Sequence, residues 1–109
     1  MDAGKLLRQC GFSCRYRGYL ELLECIHIVL ANENRLLRIT EVYAEAAKKF
    51  DISWSGIEKN IRTSLTRAWD RGAKEQMEQL FGGVFYETPT VGETIEMFVE
   101  YIRDHSDDL

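Results

Sequence analysis

Lys59, Arg62, Thr63 and Thr66 recur at steps of three and four residues, with Glu58 beside them, in a stretch where Ile57, Ile61 and Leu65 keep the same step. On a helix that spacing puts the two sets on opposite faces, so cations and hydroxyls stand together on the side away from a core. Such a face can read hydrogen-bonding edges. An arginine offers guanine a bidentate fork, lysine is the other cationic guanine reader, and a carboxylate such as Glu58 accepts from cytosine N4. Arg67 and Arg71 follow further along, where cations meet phosphates more readily than base edges, and Ser55 and Thr66 add hydroxyls for phosphate oxygens. An ordinary solvated helix face carries the same pattern, so the spacing alone is suggestive and no more.

Other chemistries find less support. The two histidines are His27, inside a helical stretch, and His105, near the end. No nucleophile elbow, phosphate-binding glycine loop or paired-carboxylate motif accompanies them, so no enzymatic activity and no cofactor are expected. Cys10-x3-Cys14 and Cys25-x-His27 could supply four metal ligands, yet the spacing matches no familiar zinc module, and free cysteine commonly serves as a small buried hydrophobe. No metal site is predicted. Three cysteines are an odd number, which fits reduced thiols better than a disulfide framework. His27 reads as a partly buried helix residue, and Trp54 and Trp69 read as core or hinge aromatics.

The 109 residues carry 14 Lys+Arg against 18 Asp+Glu, a net charge of −4 that at first speaks against a nucleic-acid partner. Divided by segment, the net is +1 over residues 1–54, +3 over 55–74 and −8 over 75–109. The basic segment holds Lys59, Arg62, Arg67, Arg71 and Lys74 against Glu58 and Asp70. Screening confines each field to about 8 Å at physiological salt, so that segment acts locally. The charge excludes promiscuous polyanion binding and leaves a site-specific reader open, with 75–109 held away from phosphates. No apolar run approaches the ~18 residues a bilayer crossing needs, and no signal peptide is visible. A cytoplasmic location without membrane contact is expected.

The elements that must position these residues are helical throughout. Asp2 to Gln9 predicts a short first helix closed by Gly11. Tyr19, Leu22, Leu23, Ile26, Val29 and Leu30 predict a second, from Gly18 to near Asn32. Thr40 is expected to cap a third through Phe50, buried through Val42, Tyr43, Ala46, Ala47 and Phe50. A break at Asp51-Ile52-Ser53 precedes a helix from Trp54 to Arg71, with Gly72 as its C-terminal cap. A fifth helix covers Lys74 to Phe81 and stops at Gly82-Gly83; Val84, Phe85 and Tyr86 predict an extended, β-like connection. Thr90-x-x-Glu93 reads as a capping box opening a last helix buried through Ile95, Phe98, Val99 and Ile102, and Asp104 to Leu109 reads as a frayed acidic tail. The expectation is one all-α domain over residues 1–109, five or six helices. The pair at 40–50 and 54–71 forms a helix-turn-helix whose second helix enters the major groove.

Whether Glu58 is free to read a base depends on the helix start. With Ser55 as N-cap, Ser55-x-x-Glu58 is a capping box and the carboxylate is committed to backbone N–H groups. With Ser53 as N-cap, which helix-start logic favours, Glu58 is available.

The blocks Ala46-Ala47-Lys48-Lys49-Phe50-Asp51-Ile52-Ser53, Ser55-x-Ile57-Glu58-Lys59-x-Ile61-Arg62 and Ala68-Trp69-x-Arg71-Gly72, followed by Gln79-Leu80-Phe81-Gly82 and Thr90, resemble a known family. It is the family of DNA-binding effector domains of stage zero sporulation protein A, the response regulator of endospore formation. With Gly18-Tyr19-Leu20 upstream, the resemblance runs from about residue 4 to residue 104. It implies a compact six-helix domain, monomeric in solution, that pairs head-to-tail on tandem double-stranded DNA sites and contacts RNA polymerase sigma factor. It also implies base reading by a Glu-Arg pair, a further Arg and a His. Glu58 and Arg62 match the Glu and the second Arg, whereas Lys59 stands at the first Arg, Thr63 at the His, and Gly56 at an Arg of the helix start. Lysine lacks the bidentate fork, so the departure at Lys59 bears on target sequence.

The family's receiver domain has no counterpart in the 109 residues, which implies either an excised effector fragment or a stand-alone paralogue outside phosphorelay control. Two functions follow. The first is a sequence-specific DNA-binding transcription factor of the sporulation-regulator type. The second is a protein-interaction module that keeps the fold with weakened or lost DNA binding, its acidic last third suited to a basic partner.

Overall fold

A computed structural model describes residues 2–105. Among them the chain is helical with no strand: α1 (Ala3–Gln9), α2 (Arg17–Ala31), α3 (Ile39–Phe50), α4 (Trp54–Ala68), α5 (Lys74–Phe81) and α6 (Val91–His105). A 3-10 turn (Glu33–Arg38) leads directly into α3, and a π-turn (Trp69–Ala73) joins α4 to α5 across a kink at Arg71 and Gly72. The six α-helices therefore lie in five helical stretches, which is where the expected count of six separate helices is slightly off.

Each helix forms for a local reason and is held by a buried stripe. The Asp2 carboxylate accepts from the Lys5 N–H at 3.1 Å and caps α1. In α2, Tyr19, Leu22, Cys25, Ile26 and Val29 are buried, and this helix packs against α3, α4 and α6. Thr40 does not cap α3. The helix starts one residue earlier, propagating from the 3-10 turn, and no side chain caps it; the hydroxyl is exposed. Asn32 supplies the cap instead, accepting from Asn34 N–H at the start of that turn.

Asp51 ends α3 in the left-handed region, φ 55°, and its N–H bonds to the Ala47 carbonyl. This is the place in the turn where a glycine would be expected, and an aspartate tolerates it better than most residues. Ile57, Ile61, Leu65 and Ala68 of α4 are buried as their spacing predicts. Gly72, at φ +100°, takes the left-handed conformation expected of a C-terminal cap, and with Arg71 it interrupts the helical backbone before α5 begins at Lys74.

The connection at Val84, Phe85 and Tyr86 is not β-like, because no second segment offers it a ladder. Glu78 accepts from the Phe85 N–H at 2.8 Å, the Phe85 ring meets Trp69 edge-on at 5.3 Å, and Val84 and Tyr86 stay exposed. The capping box opening α6 is present and reciprocal: Thr90 N–H donates to Glu93 at 2.9 Å, and Glu93 N–H to the Thr90 hydroxyl at 3.1 Å. Asp104 and His105 continue α6 rather than fraying, and residues 106–109 of the expected tail lie outside the described residues. Among the described residues no helix is long and apolar enough to cross a membrane.

α2 and α4 approach closely at Gly18. An ideal Cβ there would lie 2.1 Å from the Asn60 carbonyl oxygen and 2.8 Å from Ser64 Cβ. One turn on, Glu21 is fully buried in the same contact, one carboxylate oxygen accepting from Asn60 Nδ2 at 3.1 Å and the other without a partner. Burial pushes its carboxyl above the ordinary range, opposed by the Asn60 hydrogen bond and by Arg17.

Candidate nucleic-acid interface

Ser53 caps α4, its Oγ accepting from the Gly56 N–H at 3.1 Å. The Ser55 hydroxyl lies 3.2 Å from Ser53 Oγ and is not the cap. Glu58 is therefore not held in a capping box. It pairs instead one turn along with Arg62, Oε2 to the guanidinium at 3.0 Å, in an ion pair whose Arg62 side chain is 59% and Glu58 side chain 29% exposed.

Lys59, Arg62, Thr63 and Thr66 are all exposed on the face opposite Ile57, Ile61 and Leu65. Three neighbouring helices, α2, α3 and α6, pack against α4 and hold its buried side. The face is thus a convex ridge on a braced helix, one turn of it occupied by a Glu–Arg pair and the rest by unpaired polar groups. An exposed ridge about 10–12 Å across has the cross-section that a major groove about 12 Å wide admits.

The ridge has two unlike shoulders. On the Glu58–Arg62 side, residues 88–91 form the far wall of a cleft lined by Glu58, Arg62, Leu65 and Thr66. The middle of the acidic third therefore lies beside the ridge and not away from it; Thr88, Pro89, Thr90 and Val91 are uncharged, so the contact brings no acid of its own. On the other side stand Arg67 and Arg71, both exposed and gathered on Tyr16, with guanidinium carbons 5.0 Å and 5.9 Å from the ring centroid. Tyr16 comes from the loop between α1 and α2, far away in sequence, so helical spacing gave no hint of it.

The remaining candidates do not assemble. Cys10 and Cys25 are buried in the core, Cys14 is exposed, and among the described residues no group of three or more His, Cys, Asp or Glu could hold a metal ion. Burial raises the Cys10 thiol to about 11 and the Cys25 thiol to about 12, so both stay protonated. His27 is exposed rather than partly buried, since it falls on the side of α2 opposite Tyr19, Leu22 and Cys25. Of the two roles expected for it, core or hinge, Trp54 does not take the core one. It lies at the first position of α4, past the end of α3, and is 51% exposed, whereas Trp69 is partly buried on Phe85.

The resemblance carried by the sequence blocks is matched by a family model over most of the chain. The family model for Sporulation initiation factor Spo0A C terminal matches residues 4–102, nearly the full chain, and the protein belongs to that family.

Proposed function

We propose that the protein is a sequence-specific, double-stranded DNA-binding transcription factor of the sporulation-regulator type, acting in the bacterial cytoplasm. α3, the turn at 51–53 and α4 form its helix-turn-helix, and α4 enters the major groove. The observation that carries this reading is the exposed ridge of Lys59, Arg62, Thr63 and Thr66 on a helix whose other side is braced by three neighbours. Family membership supports the same conclusion, and an effector domain of this family is not an enzyme.

In this reading Glu58 and Arg62 act as a unit. Their ion pair costs little to open, because both groups are partly solvated. Each partner then turns to a base edge, the guanidinium to guanine O6 and N7 and the carboxylate to cytosine N4. Lys59 and Thr63 contact neighbouring bases, and Ser55, Thr66, Arg67 and Arg71 contact phosphates. The domain is monomeric in solution and pairs head-to-tail on tandem sites. A sigma-factor contact finds support in the groove between α5 and α6, where Leu80, Phe81, Phe85 and Tyr101 meet Glu100 and Asp104, a surface suited to a basic protein segment.

Selection of bound duplexes from a random pool identifies the operator. On that operator, Arg62→Ala weakens binding by about 1–3 kcal/mol and relaxes preference at one base position. Arg71→Ala weakens specific and random duplexes about equally. Equal losses for both variants on both duplexes would overturn the base-reader assignment.

A further inference from the structure

We infer that the end of the α1–α2 loop and the start of α2 are a second DNA contact, in which Arg15 and Arg17, with Arg67 and Arg71 gathered on Tyr16, clamp the phosphate backbone beside the major-groove site. The inference rests on the proposed insertion of α4 in that groove. A helix filling a groove of about its own width leaves each flank against a sugar–phosphate strand. Arg62 and Arg67 are five residues apart, so they point about 140° apart around α4 and address opposite strands. The Arg62 flank meets the uncharged residues 88–91, whereas the Arg67 flank meets Tyr16, with Arg15 before it in the loop and Arg17 after it as the first residue of α2.

The way these cations are held matters more than their number. Arg62 is neutralised in place by Glu58. Arg67 and Arg71 instead lie over an aromatic ring, and Arg71 also donates to the Tyr16 hydroxyl at 3.4 Å. A ring orients a guanidinium without cancelling its charge, and leaves N–H groups free for a phosphate oxygen. Arg15, Arg17, Arg67 and Arg71 form no ion pair among the described residues, and the nearby Asp70, exposed on the π-turn, pairs with none of them. Arg67 and Arg71 thus bring two cations without an ion pair to the Tyr16 shoulder, and Arg15 and Arg17 flank that tyrosine in the chain, Arg17 also acting on Glu21 one turn along. The first two are fixed in orientation before any ligand arrives. A phosphate backbone is the polyanion that the ridge itself would bring within reach.

The test compares wild type with Arg15→Ala/Arg17→Ala on the selected operator, measuring affinity by fluorescence anisotropy across a salt series. Each phosphate contact contributes about 0.9 to the slope of log K against log salt, so the double variant is expected to lose roughly 2 from that slope. Its base preference stays that of wild type, and Arg15→Lys/Arg17→Lys recovers the slope. On a duplex trimmed to the major-groove site, wild type and variant bind alike. Both arginines are exposed, and a circular-dichroism melt confirms that the variant is folded. Wild-type binding with an unchanged slope in the double variant, or a loss that ignores flank length, overturns this inference alone and leaves the shoulder to a protein partner. No binding by wild type to any duplex at low salt overturns the underlying DNA reading as well.

Discussion

Gly18→Ala isolates the contact that seats the candidate recognition helix. Replacing glycine by alanine inside a helix ordinarily stabilises by up to about 1 kcal/mol, and less in a first turn. At Gly18 the new Cβ would lie 2.1 Å from the Asn60 oxygen, 2.7 Å from its carbonyl carbon and 2.8 Å from Ser64 Cβ. Real Cβ contacts essentially never fall under 3.0 Å, so α2 and α4 must separate by about 0.9 Å along the shortest of these. The two nearest obstructing atoms are backbone, and Ser64 Cβ is bonded directly to it, so none can swing aside. Overpacking of this kind costs about 1–3 kcal/mol, and three contacts below the limit place it in the upper part of that range. Less the helix-propensity gain, the expected net loss is about 2 kcal/mol. For a domain of this size that lowers Tm by roughly 8 °C, at about 4 °C per kcal/mol. Urea denaturation should show a lower midpoint with an unchanged m-value. Gly92→Ala is the control: its Cβ would meet only Ile39 Cγ1, at an ordinary 3.8 Å, and the helix gain should appear there undiminished. If Gly18→Ala proved as stable as wild type, the close crossing of α2 over α4 would be refuted.

Two further substitutions probe the same scaffold. Burial raises the Glu21 carboxyl above its ordinary 4.5, so the folded state prefers the protonated form. That contribution is whole below 4.5 and is lost as pH rises through the folded value. Glu21→Gln removes the charge while keeping an acceptor for Asn60, so it should stabilise by about 1–3 kcal/mol at pH 7 and by almost nothing near pH 4. Paired urea titrations at the two pH values measure the difference; a pH-independent difference would sink the assignment. Asp51→Gly relieves a left-handed conformation and should raise stability by roughly 0.5 kcal/mol after the glycine's greater unfolded-state entropy is deducted. A loss of that size in the same titration would mean the Asp51 side chain does more than tolerate its backbone.

Much of this architecture was legible because its signals are local. The stripe Ile57, Ile61 and Leu65, the Thr90–Glu93 capping box and the stop at Gly82 each depend on residues within a turn or two of one another. They are found where spacing places them. Ser53 rather than Ser55 as N-cap was likewise decidable from helix-start preferences. Where the reading missed, the deciding neighbour was not local. Thr40 looked like a cap because nothing in the sequence announced a 3-10 turn able to propagate into α3. His27 belongs to a helical stretch, but exposure depends on which other helix covers a given side.

The charged ridge divides in the same way. The sequence by itself determined an all-α chain, the buried side of every major helix, and which face of α4 carries Lys59, Arg62, Thr63 and Thr66. Family blocks spread along the chain pointed to the same fold. Only the tertiary structure decided what stands on either side of that face: residues 88–91 beside Arg62, and Tyr16 beneath Arg67 and Arg71. A helix periodicity repeats every few residues and can be counted along the chain. A contact between residue 16 and residue 71 exists only because α2 crosses α4 at Gly18, and that crossing is set by how side chains from several helices fill one core.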